Sequence, residues 1–353
     1  MRSLSWSSFL ALMYLLACLL PAQAAKLVLV AGGGSGAEGL KTPFGVDFDR
    51  AGSLFFVEFT GQRVRKIDAA GILTTIAGTG EEGYAGDGEV ATKAKFKSMH
   101  SLVLVPNGDI YLADTFNNCV RKIDIRTGRI STFAGTGEKG FSGDGGPATK
   151  AKFSGVHCLA LGPKKEKLYL ADLDNRRIRT VELRTGTVAT VAGNGKRGVP
   201  EDGAEATKAP LVDPRAVAVD GEGRVYILER GGHALRVVGA DGKIRTVAGN
   251  GRKGFSGDDG PALKATFNGP KHLCIEGDGN VLIADTENHV IRKYLPREGK
   301  IVRVAGTGRK GDKGLGGPPL EAELSQPHGV QVRPDGTIYI ADSSNNRILK
   351  IEP

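Results

Sequence analysis

Short runs rich in Val, Ile, Leu and Tyr, four to six residues long and interleaved with polar positions, recur along the chain. One set falls at Cys158–Leu161, Lys167–Ala171, Arg177–Glu182 and Val188–Ala192, each bounded by Gly, Asp or Asn. A period of two turns successive side chains to opposite faces of a pleated segment, so these runs read as strands. No window of a dozen residues keeps a 3.6-residue apolar period without a glycine interrupting it, which argues against a helical fold. The four-strand unit is repeated. The dipeptide Ala-Gly stands at 31–32, 77–78, 134–135, 192–193, 248–249 and 305–306, with glycine-to-glycine intervals of 46, 57, 58, 56 and 57 residues. Periods of this size belong to propellers and solenoids.

Each period follows one script: a glycine loop such as 137–145, a short Ala/Lys turn such as 148–153, then the strands. Four strands per unit and six units predict an all-β fold, a six-bladed β-propeller. The ends of the chain favour the closed form. The last unit stops at Ile348-Leu349-Lys350-Ile351 without its fourth strand, and Lys26-Leu27-Val28-Leu29-Val30-Ala31-Gly32 supplies one. Pairing the two would close the ring and remove free sheet edges.

Composition narrows the class. The 52 glycines are about twice the usual share, but 16 prolines and the lack of a Gly-X-Y period exclude collagen. With 40% apolar and 25% charged residues the chain is globular, not disordered. Residues 1–24 read as a signal peptide. Arg2 precedes an apolar run from Phe9 to Leu20, and Pro21 and Ala22-Gln23-Ala24 supply the break and the small residues of a cleavage site. The run is shorter than the roughly 20 residues of a membrane anchor. The expected domain is therefore a propeller over 25–353, exported to the periplasm or secreted, and a monomer. Leu15-Leu16-Ala17-Cys18 resembles a lipoprotein box, which would tether the protein through Cys18. Cys119, Cys158 and Cys274 lie in apolar alternating segments without C-x-x-C spacing and are expected as buried free thiols.

The stretch 336–348, Gly-Thr-Ile-Tyr-Ile-Ala-Asp-Ser-Ser-Asn-Asn-Arg-Ile, and its parallels at 110–121 and 281–292 resemble the NHL repeat. The Gly-Asp-Gly loops at 86–88 and 143–145 are similar to those of exported bacterial members and of the teneurin NHL propeller. The resemblance covers the whole mature chain and implies the propeller fold. It implies no single activity, because the family includes enzymes, RNA binders and adhesion modules.

In such a blade the first strand lies innermost, and its first residue lines one mouth of the central channel. Aligning the six units places Phe44, His100, His157, Arg215, Lys271 and His328 there. Three of the six histidines thus share one repeat position. Converging neutral imidazoles suit zinc or another divalent transition metal, so His100, His157 and His328 are candidate metal ligands. The strings Met99-His100-Ser101 and Pro327-His328-Gly329 resemble zinc-binding segments of the peptidylglycine-amidating lyases, which are NHL propellers too. That likeness implies a metal-dependent lyase or hydrolase. This chain departs from it in taking its histidines from blades 2, 3 and 6, and in offering Phe116 and Leu173 where the lyases place a catalytic tyrosine. Arg215 and Lys271 would repel a metal but bind an anionic ligand. His272, His233 and His289 point elsewhere: the first away from the channel on an alternating strand, the others in turns expected to be exposed.

The formal charge of +9 points to an anionic partner. Lys196-Arg197, Arg252-Lys253 and Arg309-Lys310 share one loop position, with Lys139 a single-charge version, and form a candidate basic rim. Asp87, Asp144, Asp202, Asp258 and Asp259 lack the alternating carboxylates of a calcium loop and read as turn formers. The glycine loops lack the Lys-Ser/Thr of a phosphate-binding loop. Export and few exposed aromatics argue against nucleic acid. The expected function is binding, of a protein, a small anionic ligand or a polyanionic glycan, on the loop-rich face at the channel mouth.

Overall fold

A computed structural model describes residues 25–33 and 39–352. The segment expected to be a signal peptide, residues 1–24 with Cys18, lies outside them. Six antiparallel sheets, each with four blade strands, follow one another along the chain. Blades 1 to 5 occupy residues 43–77, 101–134, 156–192, 214–248 and 272–305. Blade 5 gains a two-residue outer strand, Gly260–Pro261. Blade 6 combines Gly329–Val332, Ile338–Asp342 and Arg347–Glu352 with Lys26–Gly32, which pairs outermost with Leu27 opposite Ile351. Leu27 is fully buried, so the ring is closed by core packing as well as by hydrogen bonds.

The Ala-Gly signature has a steric cause. In every blade the glycine has φ between 83° and 97°, and a Cβ there would collide with the carbonyl of a residue across the third and fourth strands. For Gly193 that carbonyl belongs to Arg176, and for Gly32 to Asn346. Only glycine tolerates both the left-handed backbone and the close approach.

The Ala-Asp-x-x-Asn-x-x-x-Arg pattern of blades 2, 3 and 5 is a buried network. Asp114 is fully buried and accepts from the Lys97 amide at 2.8 Å, Asn117 Nδ2 at 2.9 Å and Arg121 Nη1 at 3.4 Å. Asp172 and Asp285 repeat this set with Asn175 and Arg179, and with Asn288 and Arg292. Each arginine has no exposed side-chain area and also pairs with the aspartate of the preceding glycine loop, Asp87, Asp144 or Asp258. Aromatic rings flank the guanidinium: Tyr84 and Phe96 around Arg121, Phe141 and Phe153 around Arg179, Phe255 and Phe267 around Arg292. The loop aspartates are therefore more than turn formers; they neutralise arginines that the core has removed from water. Cys119, Cys158 and Cys274 are buried free thiols, as expected.

The blades are also latched at the end that carries the glycine loops. The residue after each second-to-third-strand turn has positive φ in the blades that use it as a latch, and its side chain accepts an amide of the next blade. Gln62 Oε1 takes the Ser98 amide, Asn118 Oδ1 the Gly155 amide and Asn346 Oδ1 the Thr42 amide across the ring closure. His233 and His289 hold the same position and accept from the Gly269 and Gln326 amides through Nδ1. This corrects the expectation that they are exposed. They are half-buried latches, because a side chain placed between two blades loses water and needs an amide partner. His272 does turn aside: its Nδ1 accepts the Val330 amide at 3.4 Å.

Candidate functional site

The latches decide how the mouth residues are presented. Each captured amide belongs to a residue two positions before a first-strand mouth residue. These residues, Thr42, Ser98, Gly155, Gly269 and Gln326, all have φ between 46° and 67°. That turn aims their carbonyls inward. His100 Nδ1 meets the Ser98 carbonyl at 3.0 Å, His157 Nδ1 that of Gly155 at 2.7 Å, and His328 Nδ1 that of Gln326 at 2.8 Å. A carbonyl can only accept, so Nδ1 carries the proton in all three and Nε2 is left with its lone pair. Burial holds all three imidazoles well below the usual histidine pKa, with Arg215 adding repulsion at each and Lys271 at His328. At neutral pH they are uncharged.

The six mouth residues come together as the repeat alignment predicts, but they are not equivalent. Phe44 stacks on His328 at 4.1 Å between ring centroids and lies 5.1 Å from His100. His100 and His157 are 4.5 Å apart. Lys271 Nζ donates to His328 Nε2 at 3.2 Å and pairs with Glu287 at 2.6 Å. His328 is thus occupied by Lys271 and separated from His100 by the Phe44 ring. Among the described residues no group of three His, Cys, Asp or Glu side chains is arranged to hold a metal ion.

Arg215 is the unusual member. It is 5% exposed, and among the described residues no carboxylate lies within 4.0 Å of it and its buried Nε has no hydrogen-bond partner. The neighbouring cations are balanced, Arg230 by Asp213 at 2.7 Å and Lys271 by Glu287. Burial pushes the Arg215 pKa down to about 9, and Arg230 acts in the same sense. A charge held this way is costly unless something outside the chain pairs with it.

Sequence reasoning missed two contributors. Phe59 stacks on Phe44 at 4.7 Å and meets His100 edge-on at 4.9 Å, and Arg230 follows the acidic residue that ends its strand as Phe59 does in blade 1. A second alignment, counting forward from that acidic residue, finds both. Phe116, 47% exposed, stands edge-on to His100 and His157 at 5.9 and 6.2 Å. Leu173 is buried.

The rim divides by blade. On blades 2 and 3 its lysines are neutralised, Lys95 by Glu81, Lys97 by Glu82, Lys139 by Asp174 and Lys152 by Glu138. Lys196, Arg197, Arg252, Lys253, Arg309 and Lys310 make no ion pair within 4.0 Å among the described residues. The largest clefts lie on the opposite face. One of about 670 Å³ between blades 2 and 3 holds Asp109 and Lys122, already paired at 2.8 Å.

The described residues define a closed propeller with a charged and aromatic channel mouth. Its repeating unit is the NHL repeat, whose family model matches residues 324–351, and the chain is a six-bladed NHL-repeat propeller. Protein SUPPRESSOR OF QUENCHING 1, chloroplastic, of Arabidopsis thaliana is 27% identical over 79% of this chain and 27% of its own length. NHL repeat-containing protein 2 of Bos taurus is 25% identical over 74% of this chain and 40% of its own. The chain thus spans well under half of these curated relatives. Among solved structures, a protein of unknown function from Bacteroides thetaiotaomicron superposes with a TM-score of 0.68 at 17% identity, covering 93% of this chain and 76% of that one. Virginiamycin B lyase from Staphylococcus aureus gives 0.54 at 13% identity, covering 93% and 99%. At these identities the likeness is one of fold.

Proposed function

We propose that this chain is an exported binding module that takes an anion at the mouth of its channel. One observation carries the reading: Arg215, nearly buried, forms no ion pair within 4.0 Å among the described residues, although Arg230 and Lys271 do. A carboxylate or phosphate oxygen in the mouth would supply the missing acceptor, and charge-assisted bonds of this kind contribute about 1.5–3 kcal/mol. No covalent step is invoked. The pattern of residues 1–24 supports export. Titration calorimetry of the mature protein with sodium phosphate in low-chloride buffer tests the idea. Binding that falls at least tenfold in Arg215→Gln supports it, and equal heats for the two proteins sink it.

Two other readings keep a supporting observation each. Three Nε2 lone pairs fixed by backbone carbonyls are the tautomer a metal needs, so His100 and His157, with His328 once Lys271 releases it, favour a metal-dependent lyase or hydrolase. Stoichiometric zinc that disappears in His100→Ala would establish that reading. The unpaired bases of blades 4 to 6 favour adhesion to a polyanionic glycan. Salt-sensitive retention on heparin that is lost with Arg252→Ala and Lys310→Ala would favour it.

A further inference from the structure

The mouth has two unlike sides. Blades 1 and 2 contribute Phe44, Phe59 and Phe116, a chain of rings linked through His100 with centroid separations of 4.7 to 5.9 Å. Blades 4 and 5 contribute Arg215, Arg230 and Lys271. The sides meet at one mouth: Lys271 Nζ reaches His328 Nε2 at 3.2 Å, His328 stacks on Phe44, and Arg215 lies near the start of the first strand of blade 4, whose neighbouring blades carry His157 and Lys271. Phe116 is nearly half exposed although it stands over this opening, while none of its five counterparts is aromatic: Thr60, Asp174, Gly231, Glu287 and Ser344. An exposed phenyl group at one of six equivalent positions, set against a cationic wall, is chemistry for a ligand with both an apolar ring and a negative charge.

Building on the anion reading above, we propose that the ligand is a small aromatic carboxylate, its carboxylate on Arg215 and its ring against Phe116, Phe59 and Phe44. The imidazoles of His100 and His157 lie between the two sides. Their uncharged state suits contact with a ring, and their Nε2 lone pairs would accept a hydroxyl or amino hydrogen carried by it. A purely electrostatic site would need only the cationic half, and a purely apolar one would not hold three cations.

Calorimetry of the mature protein with sodium acetate, benzoate and cyclohexanecarboxylate separates the parts. The expected order is benzoate tightest, at least about tenfold over acetate, with cyclohexanecarboxylate between them. Phe116→Ala, a change at an exposed side chain, is expected to cut the benzoate-to-acetate ratio severalfold. A wild-type ratio below about two, equal affinity for benzoate and cyclohexanecarboxylate, or a ratio indifferent to Phe116→Ala overturns the aromatic proposal. In those outcomes acetate binding that depends on Arg215 leaves the anion reading standing. If neither acetate nor benzoate binds wild type, the aromatic-carboxylate proposal falls, and the anion reading falls with it when phosphate does not bind either. Circular-dichroism melting of each variant confirms that it is folded.

Discussion

Replacing Arg215 with methionine is expected to make the protein more stable while removing its ligand site. Arg215 is buried, and among the described residues its Nε lacks a partner and no carboxylate lies within 4.0 Å. Burial pushes its pKa down from the usual arginine range to about 9. A fall of that size corresponds to roughly 5 kcal/mol of disfavour for the charged form in the fold, an upper figure. The sign follows from linkage. The folded pKa lies below the unfolded one, so the cost is fully present at neutral pH, where both states are protonated, and shrinks only as pH rises above about 9. Methionine keeps an unbranched apolar stem and removes the charge, but it loses the packing of the guanidinium. A net gain of about 1–3 kcal/mol is therefore expected. Urea denaturation at pH 7, read by circular dichroism, measures it as a higher midpoint with an unchanged slope. Phosphate added at many times its dissociation constant should raise the wild-type melting temperature and leave that of the variant unmoved. A loss of more than 1 kcal/mol in Arg215→Met would show that Arg215 is a structural element with partners inside the chain, and would refute the reasoning that leads to the anion site.

The buried arginines of the NHL signature should behave in the opposite way. Arg121→Met leaves Asp114 buried without its cation and is expected to cost about 3–5 kcal/mol in urea denaturation, whereas Asp87→Asn, at a partly exposed end of the same network, should cost only about 1 kcal/mol. Gly193→Ala should destabilise by more than 2 kcal/mol, since it combines positive φ with a collision against the Arg176 carbonyl, while Gly186→Ala, with open space around it, should show only the smaller cost of its positive φ. Leu27→Ala should cost about 2–5 kcal/mol and open the ring at its seam, detected as faster amide exchange in both Lys26–Gly32 and Arg347–Glu352. For pH dependence, His100 and His157 have lowered folded pKa values, so their contribution to stability is full above about 6.5 and is lost as pH falls below it. At pH 5.5 each should account for about 1.4 kcal/mol, measured as the smaller acid-induced loss in His100→Gln or His157→Gln relative to wild type; taking the difference cancels the buried carboxylates, which act in the opposite direction.

The fold was legible because the features that specify it repeat. Ala-Gly, the Asp-x-x-Asn turn and the strand runs recur at a near-constant interval, and each has a local cause: a glycine under a carbonyl, an aspartate that gathers three donors, an alternation that buries one face. The ring of mouth residues was legible for the same reason, since a repeat alignment converts sequence position into position around an axis. What escaped was pairing between units. Nothing in the string Gly86-Asp87-Gly88 reveals that its carboxylate will meet Arg121, 34 residues on, although an arginine in the middle of a buried strand was itself a sign that some acid must be near. His233 and His289 escaped likewise, because a latch is defined by the amide it captures in the next blade.

This division of labour explains why the family signature identifies the architecture and leaves the ligand unnamed. Asp114, Asn117, Arg121 and their counterparts spend their hydrogen-bonding capacity on one another and on loop backbone, and the arginines among them lie between aromatic rings inside the blade walls. They are needed in nearly every blade and present no group to the channel. The mouth is under no such constraint. Its residue in each blade is set in place by the register of the first strand, supported in blades 1, 2, 3, 5 and 6 by a latch that acts on backbone, so Phe44, His100, Arg215 and Lys271 occupy equivalent positions with unrelated chemistry. A frame fixed by repetition can thus carry a site that breaks it. In a repeat protein of this kind the informative residues for function are those where aligned units disagree, and here the sharpest disagreement is a buried arginine that forms no ion pair among the described residues, on a ring that also carries a phenylalanine and three histidines.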